Sequence, residues 1–411
     1  MNGVGFPAHG VKARYPFRMR DSLLIGIIGA PNKGKSTLFS AMTAVEVPIA
    51  DYAFTTIKPN MGVAYATTEC ADVGLGVKCT PRNSSCLDGI RKIPINIVDV
   101  AGLVPGAHLG KGMGNQFLND IVNADVLIQV VDASGKTDIN GSKTEGADPS
   151  IEVEMVRTEL TEWLSNIISK HMSHLEKRKD GEIALHELLA GFKATTEQIK
   201  HAAELSFLST SNINWDIDMT REFAVKLLDN NKPIIVAANK ADQADKNAIE
   251  SLKSKLKGIK VVECSAAVEL ALAKALSKGL IDYTTGSVGF RTLQEVGSDQ
   301  ENALRYMNKY IARHDGTGVQ KLLNDSVFAS LNNIVVYPVE DETHYTDHFG
   351  NVLHDAILMK QGSTAYDLAG KIHSDLATGM KYAVDARTKM RLQKEYVLKH
   401  MDVIKIVSGI K

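Results

Sequence analysis

What most constrains this chain is one run, Gly29-Ala30-Pro31-Asn32-Lys33-Gly34-Lys35-Ser36, with Thr37 directly after it. It fits G-x-x-x-x-G-K-S/T at every fixed position. Leu23 to Ile28 ahead of it reads as a buried strand, and Ser36 to Met42 behind it reads as a helix start. Strand, tight turn and helix thus follow in the order this motif needs. The glycines let the backbone bend so that successive N–H groups aim at one polyphosphate, and the helix N-terminus adds a favourable dipole. Lys35 is expected to reach the β- and γ-phosphates, and the Ser36 hydroxyl to ligate Mg²⁺. A glycine turn that merely joins a strand to a helix leaves the complete motif unexplained.

If the nucleotide is GTP, further elements must follow in a fixed order. Asp51-Tyr52-Ala53-Phe54-Thr55-Thr56 precedes an expected strand at Gly62–Tyr65. A switch loop there needs a threonine for Mg²⁺ and the γ-phosphate; Thr56 is the first choice and Thr55 the second. Alone, a Thr-Thr pair is an ordinary strand edge. The strand Ile95–Val98 delivers Asp99-Val100-Ala101-Gly102. Asp99 suits Mg²⁺, directly or through water, and the Gly102 N–H can approach the γ-phosphate. The apolar run Pro233–Ala238 leads into Asn239-Lys240-Ala241-Asp242. The Asp242 carboxylate can accept from guanine N1–H and its 2-amino group; Asn239 tethers the loop and touches the base edge, and the Lys240 stem covers the ring. One strand later, the N–H groups of Ser265 and Ala266 are expected to meet guanine O6.

Composition narrows the rest. At 411 residues the chain should hold two or three domains. The formal net charge of −1 gives no global pull toward nucleic acid. No run of about 18 apolar residues suggests a membrane span. Four cysteines make no disulfide scaffold, and the expectation is a reduced cytoplasm. Residues 1–18 carry no periodic pattern and read as a leader outside the fold. From Val156 through Leu160, Leu164 and Ile168 the spacing turns helical, and further helical faces are expected over 183–199 and Glu222–Leu228. Trp163 and Trp215 read as packing anchors. Cys70, Cys79 and Cys86 show no C-x-x-C pair and no nearby histidine, which argues against zinc. Cys264 reads as packing.

These residues together resemble the Obg/YchF group of translation-factor-related GTPases, most nearly its archaeal YchF-like branch. The carriers are Gly29–Ser36, Asp51–Thr56 with Pro59-Asn60, Asp99–Gly114, Gly350–Leu376 and Tyr396–Val407. The resemblance implies a P-loop NTPase with a doubly wound, mostly parallel α/β sheet over 19–149 and 231–330. It adds a helical insertion at 150–230 and a C-terminal ubiquitin-like β-grasp (TGS) domain at 331–411. Ala53 departs from the family's usual proline. The complete Asn-Lys-x-Asp pattern favours GTP and GDP over the ATP that some relatives accept. Leu103 stands where Ras-like enzymes place a water-orienting glutamine, so turnover should be slow. His108 is the candidate for orienting water, with Lys35 and the Gly102 N–H completing the catalytic set. Asn32 occupies the place where relatives hold K⁺. Residues 385–411 carry seven lysines and arginines against three acids, an excess that could hold an RNA backbone. The family resemblance implies a ribosomal or RNA partner, and no DNA or membrane partner is expected. An ATP-hydrolysing stress-regulatory enzyme and an RNA-binding module with structural nucleotide are the competing classes.

Overall fold

The computed structural model describes residues 23–44, 60–100, 121–211 and 213–409. The leader, Ala53, Thr55, Thr56, Gly102, Leu103 and His108 lie outside the described residues. Two compact units emerge, Leu23–Thr68 with Asn83–Asn333, and Glu69–Arg82 with Ile334 onward. Among the described residues no helix is long and apolar enough to cross a membrane.

The larger unit is built on a seven-stranded sheet. Its strands are β1 (Leu24–Ile28), β2 (Met61–Glu69), β3 (Ser85–Leu87), β4 (Ile90–Asp99), β5 (Val126–Asp132), β6 (Ile234–Asn239) and β7 (Lys260–Glu263). The order is β2-β4-β1-β5-β6-β7, with β3 paired to β4. β1, β4, β5, β6 and β7 run parallel through their successive pairings. Every residue of β5 is buried, as befits a central parallel strand covered on both faces. The motif residues Gly29, Asp99 and Asn239 therefore collect at carboxyl ends of neighbouring parallel strands, with Asp132 at the end of β5 between them.

Helices cover this sheet. Pro149–Lys170 starts sharply because the Asp148 side chain accepts from Ser150 N (3.0 Å), with proline in the first turn. Its buried Val153, Val156, Leu160, Leu164 and Ile168 recur at three- and four-residue intervals. The helix expected at Glu222–Leu228 runs further, Ile217–Asn231, because Asp216 caps it upstream through Met219 N (2.8 Å). The face expected over 183–199 divides into Gly181–Leu188 and Thr196–Leu205, the second opened by a Thr195–Gln198 capping box. One apolar core runs from Ile28, Val98 and Leu127 of the sheet through Leu160, Leu164, Phe223 and Leu227 of these helices. Trp215 packs on Phe223 (4.9 Å between centroids) and Trp163 on Phe192 (6.0 Å). After β7 come Ala266–Ser277, the short pair β8 (Ile281–Asp282) and β9 (Arg291–Thr292), and a long helix Ser298–His314.

The smaller unit holds a five-stranded sheet of β10 (Asn333–Val339), β11 (Ile357–Lys360), β12 (Met380–Asp385), β13 (Arg391–Leu392) and β14 (Val403–Ser408), ordered β11-β10-β14-β12-β13. β10 and β14 are parallel at the centre. The run from Val352 to Met359 reads in sequence as a single strand, but the chain turns at Leu353 with φ of 44° and β11 starts at Ile357. Helix Ala365–Ile372 packs on the sheet and is capped by Thr364, which with Asp367 forms a reciprocal capping box.

Candidate functional site: a nucleotide cradle

The loop between β1 and helix Lys35–Thr43 has the shape the motif demands. Gly29 has φ of +148°, and a Cβ there would stand 2.5 Å from the Val130 carbonyl oxygen. Gly34 has φ of +93°, and a Cβ would lie 2.2 Å from Asn239 Nδ2. At both positions only glycine lets the loop close on its neighbours. At the mouth, Lys35 Nζ pairs with Asp99 Oδ1 (3.1 Å) and Ser36 Oγ donates to Asp99 Oδ2 (2.9 Å). One ammonium, one hydroxyl and one carboxylate thus converge. The oxygen pair is a hard donor set that fits Mg²⁺, and the ammonium suits a phosphate. Asn60 Nδ2, just ahead of β2, steadies the Asp99 carbonyl (3.2 Å).

The loop from Asn239 to Asp242 is tied to this cradle. Asn239 Nδ2 donates to the Lys33 carbonyl (2.9 Å), so the end of β6 is fixed against the phosphate loop. Lys240 Nζ reaches the Asn32 carbonyl (2.8 Å) and Asp132 Oδ2 (2.9 Å), which leaves its methylene stem as the part able to cover a base. Asp242 Oδ1 accepts from Ser265 Oγ (2.7 Å), and the Asp242 carbonyl accepts from Tyr306 Oη (3.3 Å). The Ser265–Ala266 pair follows β7 and is bonded within the protein. Ser265 N donates to the Thr317 carbonyl (2.9 Å) and Ala266 N to Asn239 Oδ1 (3.0 Å). Both N–H groups are committed inside the protein, so the pair orients Asp242 and Asn239 rather than offering free donors to guanine O6. Cys264, fully buried, lies beside Asn239, and burial pushes its thiol up to about 12. It is packing, not a nucleophile.

Three residues that carry no motif complete the site. Lys33 turns its side chain inward, 2% exposed, to pair with Glu152 Oε2 (2.9 Å) and to donate to the Thr137 carbonyl (3.1 Å). It therefore serves the loop through its backbone. Glu152 Oε1 also accepts from Ala30 N (3.0 Å). One carboxylate thus braces the phosphate loop twice, from a helix 122 residues away. Burial pushes the Glu152 carboxyl above its usual range, with the Lys33 charge opposing. Asp132, 1% exposed, is the second: it accepts from Ser134 Oγ (2.6 Å), Thr137 Oγ1 (2.8 Å) and Lys240. Tyr306, on helix Ser298–His314, is the third. Asn32, with φ of 63°, uses Nδ2 on the Gly141 carbonyl (2.9 Å), so Oδ1 is the atom able to hold K⁺. Pro31 lies against the same Gly141, and Thr37 follows within the helix.

Glu152→Ala should destabilise the larger unit by about 3–5 kcal/mol, because it strands the buried Lys33 ammonium and the Ala30 N–H. Denaturant titration checks this. Loss below about 1 kcal/mol would mean the pair is solvated.

Residues 24–171 match the family described as 50S ribosome-binding GTPase, residues 237–341 the G4 motif-containing domain of YGR210-like Obg-like GTPases, and residues 343–408 the TGS domain. An uncharacterized GTP-binding protein of Methanocaldococcus jannaschii is 46% identical over 94% of this chain and 100% of its own length. The protein named ribosome-binding ATPase YchF of Bacillus subtilis is 28% identical over 93% of this chain and 98% of its own. The crystal structure of a GTP binding protein from Pyrococcus horikoshii OT3 superposes with a TM-score of 0.78 at 36% identity, covering 94% of this chain and 100% of that one.

Proposed function

Because this chain belongs to the YchF-like branch of the Obg-like P-loop GTPases, we propose that it is a cytoplasmic GTP switch. It binds GTP with Mg²⁺, hydrolyses it slowly to GDP, and presents its nucleotide state to a ribosomal or RNA partner. The observation that carries this reading is the base-reading loop. Asn239, Lys240 and Asp242 are complete, and the first two are bonded directly to the phosphate loop. A nucleotide whose base and phosphates both fit is thereby held at two rigidly linked points.

In this reading Lys35 neutralises the β- and γ-phosphates, and it must leave Asp99 to do so. Ser36 Oγ, the Asp99 carboxylate and, outside the described residues, Thr56 would hold Mg²⁺, which supplies charge neutralisation on the phosphate oxygens. Gly102 offers its N–H to the γ-phosphate, His108 orients water, and Oδ1 of Asn32 would take K⁺. With Leu103 in the glutamine's place, turnover is slow unless a partner speeds it.

The partner half rests on the smaller unit and on the name of the Bacillus subtilis relative, ribosome-binding ATPase YchF. Arg387, Lys389, Arg391 and Lys399 are exposed, whereas Lys405 is engaged by Glu342 (2.5 Å). Of the exposed four, Arg387 also donates to the Met401 carbonyl (3.1 Å), Lys389 to the Ala386 carbonyl (2.7 Å), and Arg391 lies over the Tyr382 ring. The same relative is named an ATPase, so ATP hydrolysis is the second reading. Comparable affinities for ATP and GTP in competition would favour it. The switch is tested by co-sedimentation with ribosomal subunits in GDP, non-hydrolysable GTP analogue and nucleotide-free states. Pelleting that depends on the nucleotide is expected. Equal pelleting in all three states would remove the switch, and no pelleting in any would remove the ribosome.

A further inference from the structure

The segment that leaves β2 carries a donor set that the nucleotide chemistry does not use. Cys70 caps the short helix Ala71–Leu75, which Gly76 ends in the left-handed region with φ of 65°. That turn sends the chain back on itself. Val77 N donates to the Asp72 carbonyl (3.2 Å) and Cys79 N to Asp72 Oδ2 (3.4 Å). The result brings Cys70 Sγ within 3.9 Å of Cys79 Sγ, with the Asp72 carboxylate within 4.8 Å of both. The three residues are 0%, 9% and 8% exposed, and no cysteine of the chain is in a disulfide. Two thiols and a carboxylate are thus gathered in one buried pocket, although sequence spacing argued against a metal there. The folded turn replaces the C-x-x-C pair with a cysteine, an aspartate two residues on, and a cysteine seven beyond that.

We propose that Cys70, Asp72 and Cys79 form a structural zinc site. Tetrahedral zinc holds its sulfurs at about 2.3 Å, which sets neighbouring sulfurs about 3.8 Å apart. The observed 3.9 Å is that edge. Two soft thiolates select zinc over the hard cations that suit Ser36 and Asp99. Binding releases the two thiol protons to solvent, and the metal offsets the cost of burying the carboxylate. The site lies in the stretch that docks on the β-grasp fold. Thr80 N donates to the Val352 carbonyl (2.9 Å), Val352 N to Thr80 Oγ1 (2.8 Å), and Arg82 N to the His354 carbonyl (2.8 Å). A metal here fixes the turn from which this docking extends.

The experiment uses the full chain. Purified protein should carry one zinc per chain by mass spectrometry of the metal, and X-ray absorption should show two or more sulfurs at about 2.3 Å. Cys70→Ser with Cys79→Ser should lose the zinc, and Asp72→Asn should yield it to a weaker chelator, with GTP affinity unchanged in both. As a readout that needs no variant, wild-type protein is stripped by chelator and alkylated with and without added zinc. Cys70 and Cys79 should be protected by zinc and not by Mg²⁺. A chain that neither carries nor rebinds zinc, a first shell without sulfur, equal alkylation with and without zinc, or a Cys70–Cys79 disulfide in its place would overturn the site.

Discussion

Lys35→Ala should lower the rate of GTP hydrolysis by about 10²- to 10³-fold, the loss seen when one positioned donor to developing charge is removed, and should weaken triphosphate binding more than diphosphate binding. Two effects combine. The triphosphate loses its one cationic partner in the loop. In the free protein, Asp99 also loses the ammonium 3.1 Å away and, among the described residues, keeps the Ser36 hydroxyl as its side-chain partner, so its negative charge now faces the incoming phosphates without that cation. Both side chains are mostly shielded, at 15% and 18% exposure, so solvent cannot fully screen the change. His108→Ala is the comparison. A residue that only orients water should slow turnover and leave nucleotide affinity nearly intact. Single-turnover rates with labelled GTP, alongside titration with a fluorescent GTP analogue, separate the two. Undiminished hydrolysis in Lys35→Ala would remove the phosphate-site assignment.

The parts of this site that were legible in the sequence are those in which chemistry dictates local spacing. Gly29 and Gly34 had to be glycine for steric reasons that a motif encodes directly. Asn239 to Asp242 announced themselves because one strand end must present an amide and a carboxylate together. Glu152 was hidden for the opposite reason. It acts on Ala30 and Lys33 from another helix, and within that helix it is one acid in the first turn, where acids are common on electrostatic grounds alone. For Ser265 and Ala266 the destinations of the N–H groups depended on Thr317 and Asn239, which no local pattern reveals. Leu353 shows the same limit on the backbone. A run that reads as a strand from Val352 to Met359 is cut where the chain turns at Leu353 with positive φ. The segment Glu69–Arg82 groups with the β-grasp unit through backbone bonds to 352 and 354. Backbone bonds carry no side-chain signature, and the one Thr80 hydroxyl that joins them is an ordinary surface residue in sequence, so that attachment was invisible until the fold was known.

Asp242→Asn should reverse the base preference from guanine to xanthine, with guanine losing about 10⁴-fold relative to xanthine. The direction follows from Ser265. Its hydroxyl donates to Asp242 Oδ1 at 2.7 Å, and in the variant that donor holds the amide oxygen in the same place. The amide NH₂ is then left to face the base. Guanine presents two donors there, N1–H and the 2-amino group, and would meet a donor; xanthine carries a carbonyl at position 2 and would meet its complement. Ser265→Ala supplies the internal check. Without the hydroxyl the introduced amide can flip, so the double variant should discriminate less sharply than Asp242→Asn alone, whereas an orientation set by the loop would leave the two equal. Fluorescent GTP and XTP titrations of wild type and both variants read this directly. If Asp242→Asn keeps wild-type affinity for GTP and gains none for XTP, the carboxylate does not read the base.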